Sequence, residues 1–418
     1  MPKKFLKHFM QFAIIAIAAI FSMTIFKFYG CSDKQGQPAE DNKISFWHFW
    51  SEPNQKKAIE SLVRKFEEEN DCTVEMTELS WNDGKAKLFA AFNSKTAPDV
   101  LELGSDWVAQ FSAGGVLSEI KTVDMNKYID FSTAPCYWQE KVYALPWVVD
   151  TRVLFYNTAL LDKAGYENHP ATYEEMLEMA ENINDMPDVN GFGATGNDEH
   201  RLYKKIVPLF WEYGGKVFNA KMEPVINSPE NVKALDMYLN LASAGYIETQ
   251  RQLDAAFARG NIGFWVSGGW LINKIENENP GLNYEVSMLP GKDEFPGLSF
   301  AGGEYLAISR NTGNEELALK FIQFMTDGVN AIEFCKRITE AGFPADKEYY
   351  RDPYYNTMPK RAVFADQLEN ARMTPIHPDW LEIEKEIENA VSEALYARKT
   401  AQEALDEAQE KVLEILKR

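Results

Sequence analysis

Cysteine, histidine and positive charge are all scarce in this chain of 418 residues, which has four cysteines and five histidines. With Cys31 in an N-terminal leader, Cys72, Cys136 and Cys335 remain. They lack metal-ligand spacing, and an odd number forbids full pairing. One disulfide and three buried thiols both stay open. Beyond the leader, His48, His169, His200 and His377 are scattered, so neither a metal centre nor a cofactor is expected. No G-x-S-x-G, phosphate-binding loop or Cys-x-x-Cys occurs. GFGATG at 191–196 has the letters of a dinucleotide fingerprint but follows Pro187-Asp188-Val189-Asn190, a turn rather than the strand that fingerprint needs. Lys and Arg number 43 against 63 Asp and Glu, a net charge of −20. Such a surface repels phosphates, which excludes nucleic acid and adsorption to anionic lipid.

What is present is apolar and aromatic. Hydrophobic residues make up 45% and aromatics 13%, with ten tryptophans. The length suits two domains. The N-terminus reads as a targeting segment outside the fold. Lys3, Lys4 and Lys7 precede an apolar run from Phe9 to Phe26, broken only by Gln11, Ser22 and Thr24. Phe28-Tyr29-Gly30-Cys31 then resembles a lipobox, in which Cys31 is acylated; Phe28 and Tyr29 are bulkier than usual there. An uncleaved signal anchor competes, because the run approaches the ~17–25 residues of a membrane helix. In both cases the lysines stay cytoplasmic and the body is exported. Residues 1–31 are the leader and 32–42, polar with Gly36 and Pro38, a flexible tether.

From Lys43 onward strand and helix patterns alternate. KISFWHFW (43–50), TVEMTEL (73–79) and PDVLELG (98–104) read as strands, and Ile59, Leu62, Val63 and Phe66 form a helical stripe between the first two. This alternation argues for α/β architecture with mainly parallel sheets. Thr172 with Glu175, and Ser228 before Pro229, read as helix caps. Glu67-Glu68-Glu69 and the alternating Glu382, Glu384, Glu386 and Glu388 read as solvated helix faces.

The most specific segment is PWVVDTRVLFYNTALLDK at 146–163. Pro146, Val148, Val153, Leu154, Phe155, Tyr156, Asn157, Leu161 and Lys163 fit one spaced pattern, from which only Trp147 departs by its size. The segment resembles the signature of the family 1 extracellular solute-binding proteins, the maltose-binding-protein-like sugar receptors of bacterial ABC importers. AAFARGNIGFWVSGGW (255–270), SFAGGEYLAIS (299–309) and QEALDEAQEKV (402–412) resemble further elements of that family. The resemblance implies a two-lobe fold, with 43–149 plus 305–342 as the first lobe and 152–301 plus 346–418 as the second. It implies a ligand cleft between lobes that closes by hinge motion, no catalysis, an ABC permease as partner, and a monomer held at the membrane by its lipid.

A sugar site needs carboxylates for hydroxyls and flat rings for C–H faces. Trp50, Trp81, Asp106 and Trp107 follow the first three strands, whose carboxyl ends open on a ligand crevice. Trp147, Asp150 and Arg152 lie in the first crossover, and the charged pair either binds ligand or braces the hinge. Trp270 follows a Gly-Gly turn, and Gly303 and Glu304 lie on the second crossover, where glycine permits close backbone approach. The alternative is an exported glycosidase using Asp106 and Asp150 as its acid pair; an adhesin on the same scaffold is a third reading.

The leader yields the first prediction. Cys31→Ser releases the protein from membranes or leaves it unprocessed, read by fractionation and mass. Unchanged retention at unchanged mass would instead establish the signal anchor.

Overall fold

The computed structural model describes residues 42–418 except Asn82. The leader, Cys31 and nearly all of the tether lie outside them. The strands, in chain order, are β1 (Lys43–His48), β2 (Thr73–Glu78), β3 (Val100–Gly104), β4 (Tyr137–Trp138), β5 (Lys141–Val142), β6 (Ala144–Thr151) and β7 (Val153–Asn157), then β8 (Asn190–Thr195), β9 (Gly245–Glu248), β10 (Ile262–Ser267), β11 (Tyr284–Ser287), β12 (Ser299–Ile308), β13 (Phe343–Pro344) and β14 (Ala371–Arg372).

They build two main sheets. One runs β13-β6-β12-β3-β1-β2, with β14 paired to β12; the other runs β11-β7-β10-β8-β9. In β1 the side chains alternate, with Ile44, Phe46 and His48 inward. Phe46 meets Phe321 edge-on at 5.1 Å, and Ile59, Leu62, Val63 and Phe66 of the Pro53–Asn70 helix are all buried. The β3 strand is buried at every position, as a central strand covered on both faces should be. Asp99 fixes its start: Oδ2 accepts the Ser45 N–H and hydroxyl, each at 2.7 Å, and Oδ1 accepts the Thr312 hydroxyl at 2.7 Å.

Helix caps follow the sequence. Thr172 Oγ1 accepts the Glu175 N–H, and Ser228 Oγ accepts that of Asn231. The GFGATG run falls in strand β8. Cys72, Cys136 and Cys335 are all free and buried, which decides for three thiols.

The expectation of mainly parallel sheets needs correction. β1 pairs in parallel with β2 and β3, but β12 is antiparallel to both β3 and β6. In the second sheet β7 is antiparallel to β10 and β11. The reason is topological. Only Arg152 separates β6, of the first sheet, from β7, of the second, so β6 leads out of its sheet. β12 brings the chain back, and two such strands side by side run in opposite directions. Side chains stitch them at the crossing. Thr151 Oγ1 donates to the Phe300 carbonyl at 2.7 Å, and Ser299 Oγ donates to that of Arg152 at 2.7 Å.

The approach of β12 to β6 also redefines Gly303. Its carbonyl accepts the Ser105 N–H at 3.0 Å, and a Cβ there would stand 2.3 Å from the Val148 carbonyl oxygen. Gly303 therefore serves strand packing, and the expectation that its backbone meets ligand is withdrawn. Gly303→Ala is expected to cost about 1–3 kcal/mol, the range for overpacking, read by chemical denaturation. Wild-type stability would show that the strands separate freely at this point.

Candidate functional site

The carboxyl ends of the three parallel strands carry an aromatic shelf. Phe49 follows β1, Trp81 follows β2 and Trp107 follows β3. Trp81 stacks on Phe49 with centroids 4.1 Å apart and rings 19° from parallel. Trp107 closes the trio edge-on, 5.5 Å from Trp81 and 5.7 Å from Phe49. Gly84 makes room for this, since a Cβ there would lie 2.5 Å from the Phe49 ring. Trp107 is buried, while Trp81 keeps 42% of its surface open. Lys85 Nζ stands 5.9 Å from the Trp107 ring centroid.

The other strand-end tryptophans turn inward. Trp147 is fully buried and stacks on Phe334 at 4.6 Å. Trp50 packs edge-on against both, at 6.0 and 5.0 Å. Trp147 is thus a core residue, not a ligand platform. An unbroken buried strand gives its large side chain no outlet.

Asp106 carries the contact between elements of the two sheets. Its Oδ2 accepts the Tyr203 hydroxyl at 3.2 Å. Tyr203 opens the Tyr203–Glu212 helix and is buried against Phe300 and Trp380. Beneath it the Trp380–Leu395 helix sends in two acids. Glu384 pairs with His200, and Glu388 accepts the N–H groups of His200 at 3.0 Å and Tyr203 at 3.1 Å. The solvated-face reading holds for Glu382, which is exposed, and fails for Glu384 and Glu388, which are buried. Residues four apart share a helix face, and that face turns inward. Burial, then Glu384, pushes the Glu388 carboxyl up to about 7. Burial, then Asp106, pushes Glu384 well above the usual carboxylate range.

The crossover strands supply a third group. Arg152 pairs with Asp150 through Nη1 and also donates to the Thr151 carbonyl at 3.0 Å, so the bracing role is present. Its guanidinium lies 4.6 Å from the Trp270 ring centroid and 5.5 Å from that of Phe300. Gly268 lets Trp270 settle there, because a Cβ on it would fall 2.1 Å from the indole. The Trp270 N–H donates to Asp254 Oδ2 at 3.0 Å. Glu304 on β12 is pushed well up, by burial first and then by Asp150 and Glu102. Glu102, in the middle of β3, accepts the Phe49 N–H at 2.9 Å; burial raises its carboxyl to about 8.

The structure therefore gathers Trp81, Trp107 and Asp106 at one strand-end edge, and Asp150, Arg152, Trp270 and Glu304 at the crossing. Sequence reasoning missed Phe49, Lys85, Glu102, Tyr203, Lys204, Lys205, Asp254, Glu384 and Glu388. Glu102 had a signal: a charge in the centre of the apolar run VLELG. The Lys204-Lys205 pair had another, directly before IVPLF. Among the described residues no group of three or more His, Cys, Asp or Glu side chains is placed to hold a metal, and no helix is long and apolar enough to cross a membrane.

Residues 61–363 match a family model described as bacterial extracellular solute-binding protein. The galactooligosaccharide-binding protein of Bacillus subtilis is 26% identical over 91% of this chain and 92% of its own. The maltodextrin-binding protein MdxE of the same organism is 24% identical over 93% of this chain and 94% of its own. The GacH receptor of Streptomyces glaucescens, solved unliganded and with acarbose, superposes with a TM-score of 0.80 at 22% identity, over 90% of this chain and 98% of that one. Each is a two-way match along nearly the whole chain, and the solved structure shares the fold.

Glu102 generates the prediction from this site. Its folded pKa of about 8 lies above the 4.5 of an ordinary glutamate, so the folded state binds the extra proton. The stability this lends is full below about pH 4.5 and is lost as pH rises through 8. Glu102→Gln, which cannot ionise, is expected to be more stable than the parent at pH 8 and to lose less stability between pH 5 and 8. Parallel pH profiles for the two proteins, by urea unfolding, would show that Glu102 does not titrate.

Proposed function

The chain belongs to the bacterial extracellular solute-binding family, and from that premise we propose that it captures a sugar or oligosaccharide between two lobes and delivers it to the permease of an ABC importer. The observation that carries the sugar is the aromatic shelf. Three successive parallel strands end in Phe49, Trp81 and Trp107, and Trp81 presents its ring to solvent beside Asp106 and Lys85. An indole covers the C–H faces of a sugar, while carboxylate and ammonium groups take its hydroxyls. The relatives named for galactooligosaccharide and maltodextrin point the same way.

In this reading Trp81, Trp107, Asp106, Asp150, Arg152, Trp270 and Glu304 are the ligand contacts; Trp50, packed against Trp147 and Phe334, is not among them. The lobes are taken as 43–149 plus 305–342 and 152–301 plus 346–418; β1, β2 and β3 fall in the first and β7 to β11 in the second, while β14 of the first sheet falls in the second range. Ligand that touches both lobes favours the closed state, a population shift. Acylated Cys31 would hold the exported, monomeric body at the membrane, next to the permease.

The glycosidase alternative loses its acid pair. Asp150 is bound to Arg152 and Asp106 to the Tyr203 hydroxyl, and neither stands as a free acid facing a free base.

Titration calorimetry with maltodextrins, galactooligosaccharides and chitooligosaccharides tests the proposal: one class binds and is recovered intact. Trp81→Ala is expected to weaken that binding by about 1–3 kcal/mol, with little change in apo Tm because the ring is 42% exposed. Full affinity in the variant would remove the shelf from the site.

A further inference from the structure

Behind the crossover lies a small cavity of which the sugar reading uses only Arg152. Arg152, Lys204 and Lys205 line it, with Trp265, Tyr173 and Tyr238 among its other walls. Its free volume of about 20 Å³ admits one water or a small substituent, not a sugar ring. Lys205 is only 9% exposed and its Nζ has no hydrogen-bond partner. Arg152 is 6% exposed, and its Nε also has none.

A buried ammonium without a partner is costly; Arg152 is paired with Asp150 through Nη1, so Lys205 is the cation left to complete. The neighbouring acids are committed elsewhere. Asp254 accepts from the Trp265 N–H at 2.7 Å, the Ser267 hydroxyl at 2.9 Å and the Trp270 N–H at 3.0 Å. Asp198 takes Arg201 at 3.1 Å and the Gln250 N–H at 2.7 Å. What faces Lys205 instead is the Trp265 ring, 5.0 Å from its ammonium. Burial, with Arg152 second, pushes the Lys205 ammonium well below the usual lysine range. Lys204 reaches towards the cleft, where its charge acts on Glu304 and Glu384, and its ammonium lies 5.3 Å from the Phe300 ring centroid. Arg152 belongs both to the crossing and to the cavity wall, and that wall carries three cations in a protein of net charge −20.

We propose that the solute is an acidic sugar of the uronic-acid class, whose carboxylate enters this cavity and is held by Lys205 and Arg152 with Lys204 beside them. The inference rests on the sugar reading and specifies its substrate. A carboxylate oxygen suits the free volume, and its charge supplies the partner that Lys205 Nζ lacks and an acceptor for Arg152 Nε. Charge-assisted bonds in such a place are the strong ones. A neutral hydroxymethyl group at the same position offers Lys205 an acceptor but no counter-charge, which is the weaker bond.

The test pairs each acidic disaccharide with its neutral counterpart of the same linkage, digalacturonate with 4-linked galactobiose and cellobiouronic acid with cellobiose, by calorimetry on the exported body. The expected result is at least a roughly tenfold preference for the acid in one pair, consistent with a charge-assisted bond. Lys205→Met should erase that preference and raise the apo Tm, because an unpaired buried ammonium is replaced by a packed side chain. Neutral sugars binding as well as or better than acidic ones would overturn the inference and leave the sugar reading standing. No binding by either member of any pair, with none by the neutral oligosaccharides above, would overturn both. A lower apo Tm in Lys205→Met with the acid preference intact would show that Lys205 is a structural residue.

Discussion

The pairing of β6 with β12 is the constraint on which the rest of the molecule depends. Among the described residues β6 runs on into β7 of the other sheet and β12 brings the chain back, and the two lie against each other in antiparallel register from Ala144 to Thr151 and Ala301 to Ala307. Thr151, Ser299 and Phe300 lock the crossing through buried hydrogen bonds. Their closeness dictates glycine at Gly303 and Gly342, where a Cβ would stand 2.3 Å from the Val148 and 2.2 Å from the Val149 carbonyl oxygen. It also fixes where Asp150, Arg152 and Glu304 project. Two long, hydrogen-bonded strands hold these charged groups in register.

That register produces an unusual electrostatic interior. Glu102, Glu304, Asp150, Asp106, Glu384 and Glu388 converge from both sides, and burial raises the carboxyls of Glu102, Glu304, Glu384 and Glu388. Desolvation disfavours each charge and the neighbouring acids add to it. Arg152, Lys85 and Lys204 offset part of this. Groups whose best partners are missing in the unliganded protein are the ones a hydrogen-bonding solute completes.

Much of this was legible early because local patterning carries it. The stripe Ile59, Leu62, Val63 and Phe66, the alternation in β1, the caps at Thr172 and Ser228, and the spaced pattern across 146–163 each depend on residues near one another in the chain. The placement of Trp81, Trp107 and Asp106 followed from one general fact, that parallel strands end on the ligand side. Trp147 went wrong because a motif position says nothing about which way a side chain faces. Glu384 and Glu388 went wrong because alternation by two hides a spacing of four.

The sequence by itself determined the two-sheet α/β architecture, the acidic and exported character of the chain, and the set of aromatic and charged residues from which a site is drawn. Tertiary structure alone decided the antiparallel crossing, the burial of Trp147 and the role of Gly303. It alone brought Tyr203 to Asp106 and left Lys205 against Trp265. The physical reason is separation along the chain. Asp106 and Tyr203 lie 97 residues apart, and His200 and Glu384 lie 184 apart. Local propensity cannot encode such contacts; they arise only when distant segments of the chain pack together.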